Sequence, residues 1–208
     1  MGYKFSVLLV FVVLISMMTS KMLISDQLYF NTLAGTLGRS QIEAILSQNR
    51  KWEWTWYAFI PIIYFAKCSL IALCLSLSIF YATENEFEFK KMFQTAVKAE
   101  FVFLIPPVVK LVWFRFFQHT YTLQDLQYFY PLSALNMFDP KSLEPWLIYP
   151  LQVLNIFEVI YWIVLAYLLT KELPELDMNR SMTVVMASYG TGLVIWVAFV
   201  MFLTLTYT

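Results

Sequence analysis

Residues 147–170, LIYPLQVLNIFEVIYWIVLAYLLT, form a long apolar run with a lone acidic residue, Glu158, near its centre. About 20 mainly apolar residues cross the hydrocarbon core of a bilayer as a helix. The run is therefore expected to span a membrane with a carboxyl near the midplane. A carboxylate at that depth persists only beside a partner, beside water, or as the neutral acid. Two other apolar runs carry a lysine near their middle, Lys67 in one and Lys110 in the other. Glu158, Lys67 and Lys110 are thus expected to form, or to border, one intramembrane polar cluster.

The rest of the chain repeats the theme. Apolar runs at 5–20, 56–80, 97–117 and 182–207 join the one at 147–170. Together they imply an all-α, polytopic integral membrane bundle of about five transmembrane helices plus short interfacial helices, one membrane domain over 1–208. Composition agrees: 60% of residues are hydrophobic and 13% charged, against about 25% charged in soluble domains. The net charge of zero gives no electrostatic case for nucleic acid. The partners expected are the lipid bilayer and, within it, a protein partner or further copies of the chain.

The first run, flanked by Lys4 and Lys21, competes with a secretory signal peptide. No A-x-A-like cleavage pattern follows it, so it reads as a retained first span. Residues 21–51 and 118–146 are less apolar and are expected at the membrane surface. In the former, Ser40-Gln41-Ile42-Glu43 fits a capping box, with Ile42, Ile45 and Leu46 on one side of a short helix. Gly35 and Gly38 mark a turn before it. Thr83–Glu86 is a second capping-box pattern. Trp52, Trp54, Trp56 and Tyr57 beside Arg50 and Lys51 suit a headgroup boundary. In the latter segment, Leu123, Leu126, Phe129 and Tyr130 have helical spacing.

Helix packing and helix breaking are also written in the sequence. Ala72 with Ser76, and Ser188 with Gly192, are small-xxx-small pairs that allow close approach of helices. Pro106-Pro107, at the heart of the third run, removes two backbone donors and displaces the carbonyls of Val102 and Phe103. Such a break is tolerated in a membrane only where neighbours or water re-satisfy the backbone. Lys98 and Glu100 lie toward one end of that run and read as solvated.

Nothing resembles a catalytic constellation or a metal set. Cys68 and Cys74 would sit roughly 9 Å apart along a helix, too far for a disulfide, and read as small buried hydrophobes. His119, the lone histidine, has no Cys or second His near it in sequence and reads as an interfacial side chain. No H-E-x-x-H, nucleophile-elbow or phosphate-cradling pattern occurs. No enzyme, cofactor or metal is expected.

Residues 155–166, NIFEVIYWIVLA, followed by a short polar loop and a last apolar span, resemble the closing half of Yip1-domain proteins. The stretch 93–117, with Ala99-Glu100 and Pro106-Pro107, is similar in layout to that family's middle spans. The resemblance covers roughly residues 50–208. It implies five spans, a cytosolic N-terminus, the C-terminus on the opposite side, and a non-enzymatic role like that of bacterial members in the inner membrane. The eukaryotic Asp-Leu-Tyr-Gly-Pro signature does not occur, nor does the long soluble N-terminal region associated with small-GTPase partners, so vesicle trafficking is not implied. The distribution of basic residues agrees with this orientation once the long connection holding Lys21, Arg39, Arg50 and Lys51 is set aside. Two functions are expected from these features: a scaffold or accessory subunit of a membrane complex, or a transport component with a midplane charged site.

Overall fold

The computed structural model describes residues 2–83 and 88–207, and these fold as helices with one isolated bridge between Ser133 and Asn155. The chain begins with α1 (Gly2–Leu23), α2 (Asp26–Leu33) and α3 (Arg39–Thr83). Helix α3 has 45 residues, roughly 68 Å at 1.5 Å per residue, far more than a bilayer core needs. It fuses the expected surface helix to the expected second span. No helix breaker lies between Ile45 and Trp56, so propagation costs less than a new start. The capping box at Ser40 does not form. Helix α3 starts at Arg39, and the Gln41 side chain instead accepts the Gly38 N–H at 2.9 Å. Ile42 and Leu46 are buried, while Ile45 points outward. The Thr83–Glu86 pattern falls on residues outside those described.

Helix α4 (Phe89–Ala99) follows, and its inner face of Met92, Phe93, Ala96 and Val97 packs into the main core. The prolines do not interrupt the chain's helical path. A tight 3-10 segment, Glu100–Leu104, leads into α5 (Ile105–Val112), with the prolines in the first turn of α5, where missing N–H groups matter least. The Val102 carbonyl is taken by the Ile105 N–H through the tighter pattern. A π-turn, Trp113–Phe117, closes this stretch. After it, α6 (Leu123–Tyr128) carries its own capping box of Thr122 and Asp125, and Leu126 is buried.

The run at 147–170 is not one helix. It divides into α7 (Pro145–Val153) and α8 (Ile156–Glu172) across Leu154 and Asn155. A loop dips in to satisfy the broken backbone. The Ala134 N–H donates to the Leu154 carbonyl at 2.8 Å, and the Ile156 N–H donates to the Leu132 carbonyl at 3.2 Å. Leu132 adopts a φ of 54° to make this turn, a left-handed conformation unusual for a leucine. Asn155 caps α8, its side chain accepting the Glu158 N–H at 2.9 Å. Glu158 therefore stands in the first turn of a helix, not in the middle of one.

The last stretch comprises α9 (Met178–Val185), a π-turn (Met186–Gly190) and α10 (Thr191–Tyr207). Three helical stretches, Gly2–Leu23, Arg39–Tyr81 and Met178–Tyr207, are long and apolar enough to cross a membrane by length and composition. Their outward faces are apolar: Val10 and Phe11 on α1, Ile62 and Leu70 on α3, Val194 and Phe202 on α10 are all exposed. Contiguous apolar surface of this kind is foreign to soluble monomers.

Helix α1 runs beside the chain from α4 to the π-turn. The Phe5 ring lies 5.9 Å from that of Phe93 at one end, and the Tyr121 hydroxyl donates to the Leu23 carbonyl at 3.0 Å at the other. Helix α3 runs the opposite way, with the Ser20 hydroxyl donating to Glu53 at 3.4 Å and Arg50 on Asp26. Ala72 and Ser76 are both buried in the core, and the Ser76 hydroxyl donates to the Ala72 carbonyl at 2.7 Å. The pair Ser188 and Gly192 does not act as a unit. The π-turn rotates the helix between them, so Ser188 is buried while a side chain at Gly192 would meet nothing within 4 Å. The tight small-residue position is Gly190, where an added Cβ would come within 3.0 Å of the Trp162 ring.

Enlarging Gly190 must displace a ring held by its own hydrogen bond, whereas Gly192 has room. Gly190→Val is expected to destabilise by about 1–3 kcal/mol, and Gly192→Val by no more than about 0.5 kcal/mol, in thermal unfolding of detergent-solubilised protein. The reverse order would contradict the register set by the π-turn.

Candidate functional site

The polar centre of the molecule is built around Glu100. The face of α4 that buries Phe93, Ala96 and Val97 continues one turn further to Glu100, seven residues after Phe93, so the carboxylate enters the core with no exposed surface. The expectation that Glu100 is solvated is therefore overturned. Its partner is Lys67 of α3, whose ammonium lies 2.8 Å from Glu100 Oε2. The same ammonium sits over the Phe103 ring, 4.4 Å from its centroid, so the cation has both a charge and a π-face against it. Lys98, also expected to be solvated, instead pairs with Glu172 at the end of α8.

Glu158 occupies the next position along the cluster without joining the ion pair. Its Oε1 accepts from the Tyr189 hydroxyl at 2.7 Å and from Trp162 Nε1 at 2.9 Å. The Tyr189 bond ties the first turn of α8 to the π-turn before α10, and the Trp162 bond lies within α8. Between the two carboxylates stands Tyr161, fully buried. Its ring stacks 4.7 Å from Phe103 on one side and 5.0 Å from Tyr189 on the other. The Tyr161 hydroxyl and Glu100 Oε1 find no hydrogen-bond partner among the described residues.

Of the three residues expected to meet, the structure brings Lys67 and Glu158 into one neighbourhood, where Lys67 and Glu100 both act electrostatically on the Glu158 carboxyl. Lys67 bonds to Glu100 rather than to Glu158. Lys110 lies apart: its ammonium donates to the Leu126 carbonyl, at the end of α6. Ten residues of helical chain separate Glu100 from Lys110, roughly 15 Å at 1.5 Å per residue, and carry Lys110 to the end of α6. There Phe114, Leu126 and Leu23 form a second, smaller core. His119 is exposed in the connection that follows, and Cys68 and Cys74 are free thiols, Cys68 in the main core.

Two cavities lie outside this centre. One of about 300 Å³ is lined by Ser76, Met92, Glu88, Lys91 and Glu172 where α3 and α8 end and α4 begins. Another of about 430 Å³ lies between α6 and α7, bordered by Gln127, Tyr130, Tyr149 and Gln152. No group of three or more His, Cys, Asp or Glu side chains suited to a metal occurs among the described residues. Compared with protein-family models, curated proteins and solved structures, the chain matches none.

Pairing of a part-exposed lysine with a fully buried carboxylate predicts a specific pattern of coupling. Lys67→Met alone leaves Glu100 without a counter-charge and should cost about 3–5 kcal/mol. Lys67→Met with Glu100→Leu should be milder than the sum of the single changes, with a coupling of about 0.5–3 kcal/mol. The pair Lys110→Met and Glu158→Leu should instead add within about 0.5 kcal/mol. Denaturation of the four variants and both doubles in detergent checks this; additive Lys67 and Glu100 changes would remove the ion pair from the account.

Proposed function

We propose that this chain is a non-catalytic integral membrane protein that crosses the bilayer five times and serves as a scaffold or accessory subunit of a membrane complex. The crossings are α1, the apolar part of α3, the chain from α4 through α5 to the π-turn, α7 with α8, and α9 through α10. In this reading the N-terminus is cytoplasmic and the C-terminus outside, as in the Yip1-like layout of a bacterial inner-membrane protein. Lys4, Lys90, Lys91, Lys98, Lys171 and Arg180 then fall inside, in keeping with the positive-inside rule. Retention of the first segment is supported by its packing, since Leu8 of α1 is wholly buried in the main core.

The observation that carries the scaffold reading is how the polar side chains of the centre are spent. Lys67 is held by Glu100 and Phe103, Glu158 by Tyr189 and Trp162, and Lys110 by a backbone carbonyl. All of these contacts but the Trp162–Glu158 bond, which lies within α8, join one segment of the chain to another. A transport component remains the second reading, favoured by the break at Leu154–Asn155, because discontinuous helices with charged groups at their ends form the binding sites of many transporters.

Reporter fusions test the crossings: a fluorescent protein should light up at the N-terminus and alkaline phosphatase should be active at the C-terminus. Both termini on one side would rule out an odd number of crossings. For the role, mild extraction from native membranes should recover the protein with a stoichiometric partner or as a defined oligomer. A lone monomer that supports flux in proteoliposomes, lost in Glu158→Gln, would overturn the scaffold in favour of transport.

A further inference from the structure

We propose that Glu158, Tyr161 and Glu100 form a binding site for a single proton, held on the Glu158 carboxyl while Lys67 neutralises Glu100. The inference rests on the membrane reading above and goes beyond the scaffold role.

Charge arithmetic comes first. The charged side chains acting on Glu158 are Lys67 and Glu100. One lysine and two carboxylates leave one negative charge over when both acids are ionised. Lys67 is committed to Glu100, which has no exposed surface and no other cation against it. An uncompensated charge in a medium without water costs several kcal/mol at the least, and such a group takes up a proton instead. Glu158 is the acid without a cationic partner, so the proton resides there.

The hydrogen bonds around Glu158 leave room for a proton on one oxygen. Tyr189 and Trp162 both donate to the same oxygen, Oε1, and Oε2 accepts from no described residue. Two donors on one oxygen suit a carboxylate as well as a carbonyl, but placed on Oε1 they leave Oε2 open to carry a hydrogen. Tyr161 supplies an independent observation. Its hydroxyl is fully buried and unpartnered, as is Glu100 Oε1, and both carboxyls act on that hydroxyl. The orphan donor and orphan acceptor are unsatisfied polar groups of one buried neighbourhood, of the kind that a buried water pairs with.

Every element around the site contributes to its environment. Helix α3 presents Tyr64, Lys67 and Cys68, and the 3-10 segment presents Glu100. Helix α8 presents Tyr161 and Trp162, the second π-turn Tyr189, and α7 Tyr149, whose hydroxyl accepts from Trp196 of α10 at 2.8 Å. The lone cation among these is already paired.

Infrared spectroscopy of the full-length protein in lipid nanodiscs reads the proton directly. At neutral pH the wild type should show the carbonyl band of a protonated carboxyl, shifting in heavy water and absent from Glu158→Gln. Tyr189→Phe removes one donor to that carbonyl and should move the band to higher frequency, an effect that loss of packing alone would not produce. A wild-type spectrum without the band, or a band that persists in Glu158→Gln, overturns the proposal. Stability gives a second readout. A proton bound by the folded but not the unfolded chain makes the folding equilibrium fall as pH rises above about 4.3, the ordinary value for Glu, by up to tenfold per pH unit. Glu158→Gln, which mimics the neutral acid, should flatten that slope; an unchanged slope contradicts the site. Terminus reporters fail or succeed independently of the band, so an error in the membrane reading is told apart from an error here.

Discussion

A carboxylate with no exposed surface must find a counter-charge, and the Lys67–Glu100 pair, in which the lysine side chain is part-exposed, fixes much of what surrounds it. Taking either ion out of water costs several kcal/mol, and their attraction offsets this only with good geometry. A separation of 2.8 Å with an aromatic face under the cation meets that requirement. The pair specifies as much as it stabilises. It sets the rotation of α4 against α3, because a helix turned by one residue would leave both charges alone. Phe103 then packs on Tyr161, Tyr161 on Tyr189, and Tyr189 holds Glu158, so one contact passes its register through four parts of the chain.

The helices that carry this network are broken where it meets them, and each break is repaired locally. A 3-10 segment absorbs the prolines, a loop backbone fills the gap at Leu154–Asn155, and π-turns accommodate extra residues at 113–117 and 186–190. Irregular backbone away from water survives only with such repairs. The π-turn at Met186–Gly190 brings Tyr189 onto Glu158 and presses Gly190 against Trp162. Bulges of this type recur where a side chain must be re-aimed.

The sequence made the helical class and the membrane-grade apolar runs legible, because both depend on composition and length alone. It also placed Ala72, Ser76 and Leu126 correctly, since 3.6-residue spacing survives in unbroken helices. What it obscured were the places where period changes. Glu100 looked solvated beside Lys98, yet its spacing from Phe93 already put it on the buried face. The division of residues 147–170 was announced by Asn155 and Glu158, three apart in the pattern of a helix start, but hydropathy averaged over it. Lys110 looked central because its place in an apolar run says nothing of which neighbouring segment it faces. Gly190 was invisible, as no sequence pattern foretells a π-turn.

A protein whose buried polar groups hold its own helices together suits the scaffold role proposed above. The account stands or falls on which acid Lys67 touches. Magic-angle-spinning NMR of the protein in bilayers, with dipolar recoupling between the Lys67 side-chain nitrogen and carboxyl carbons, measures this directly. Strong coupling to Glu100 and weak coupling to Glu158 is the predicted result. Dominant coupling to Glu158, or to neither acid, would contradict it.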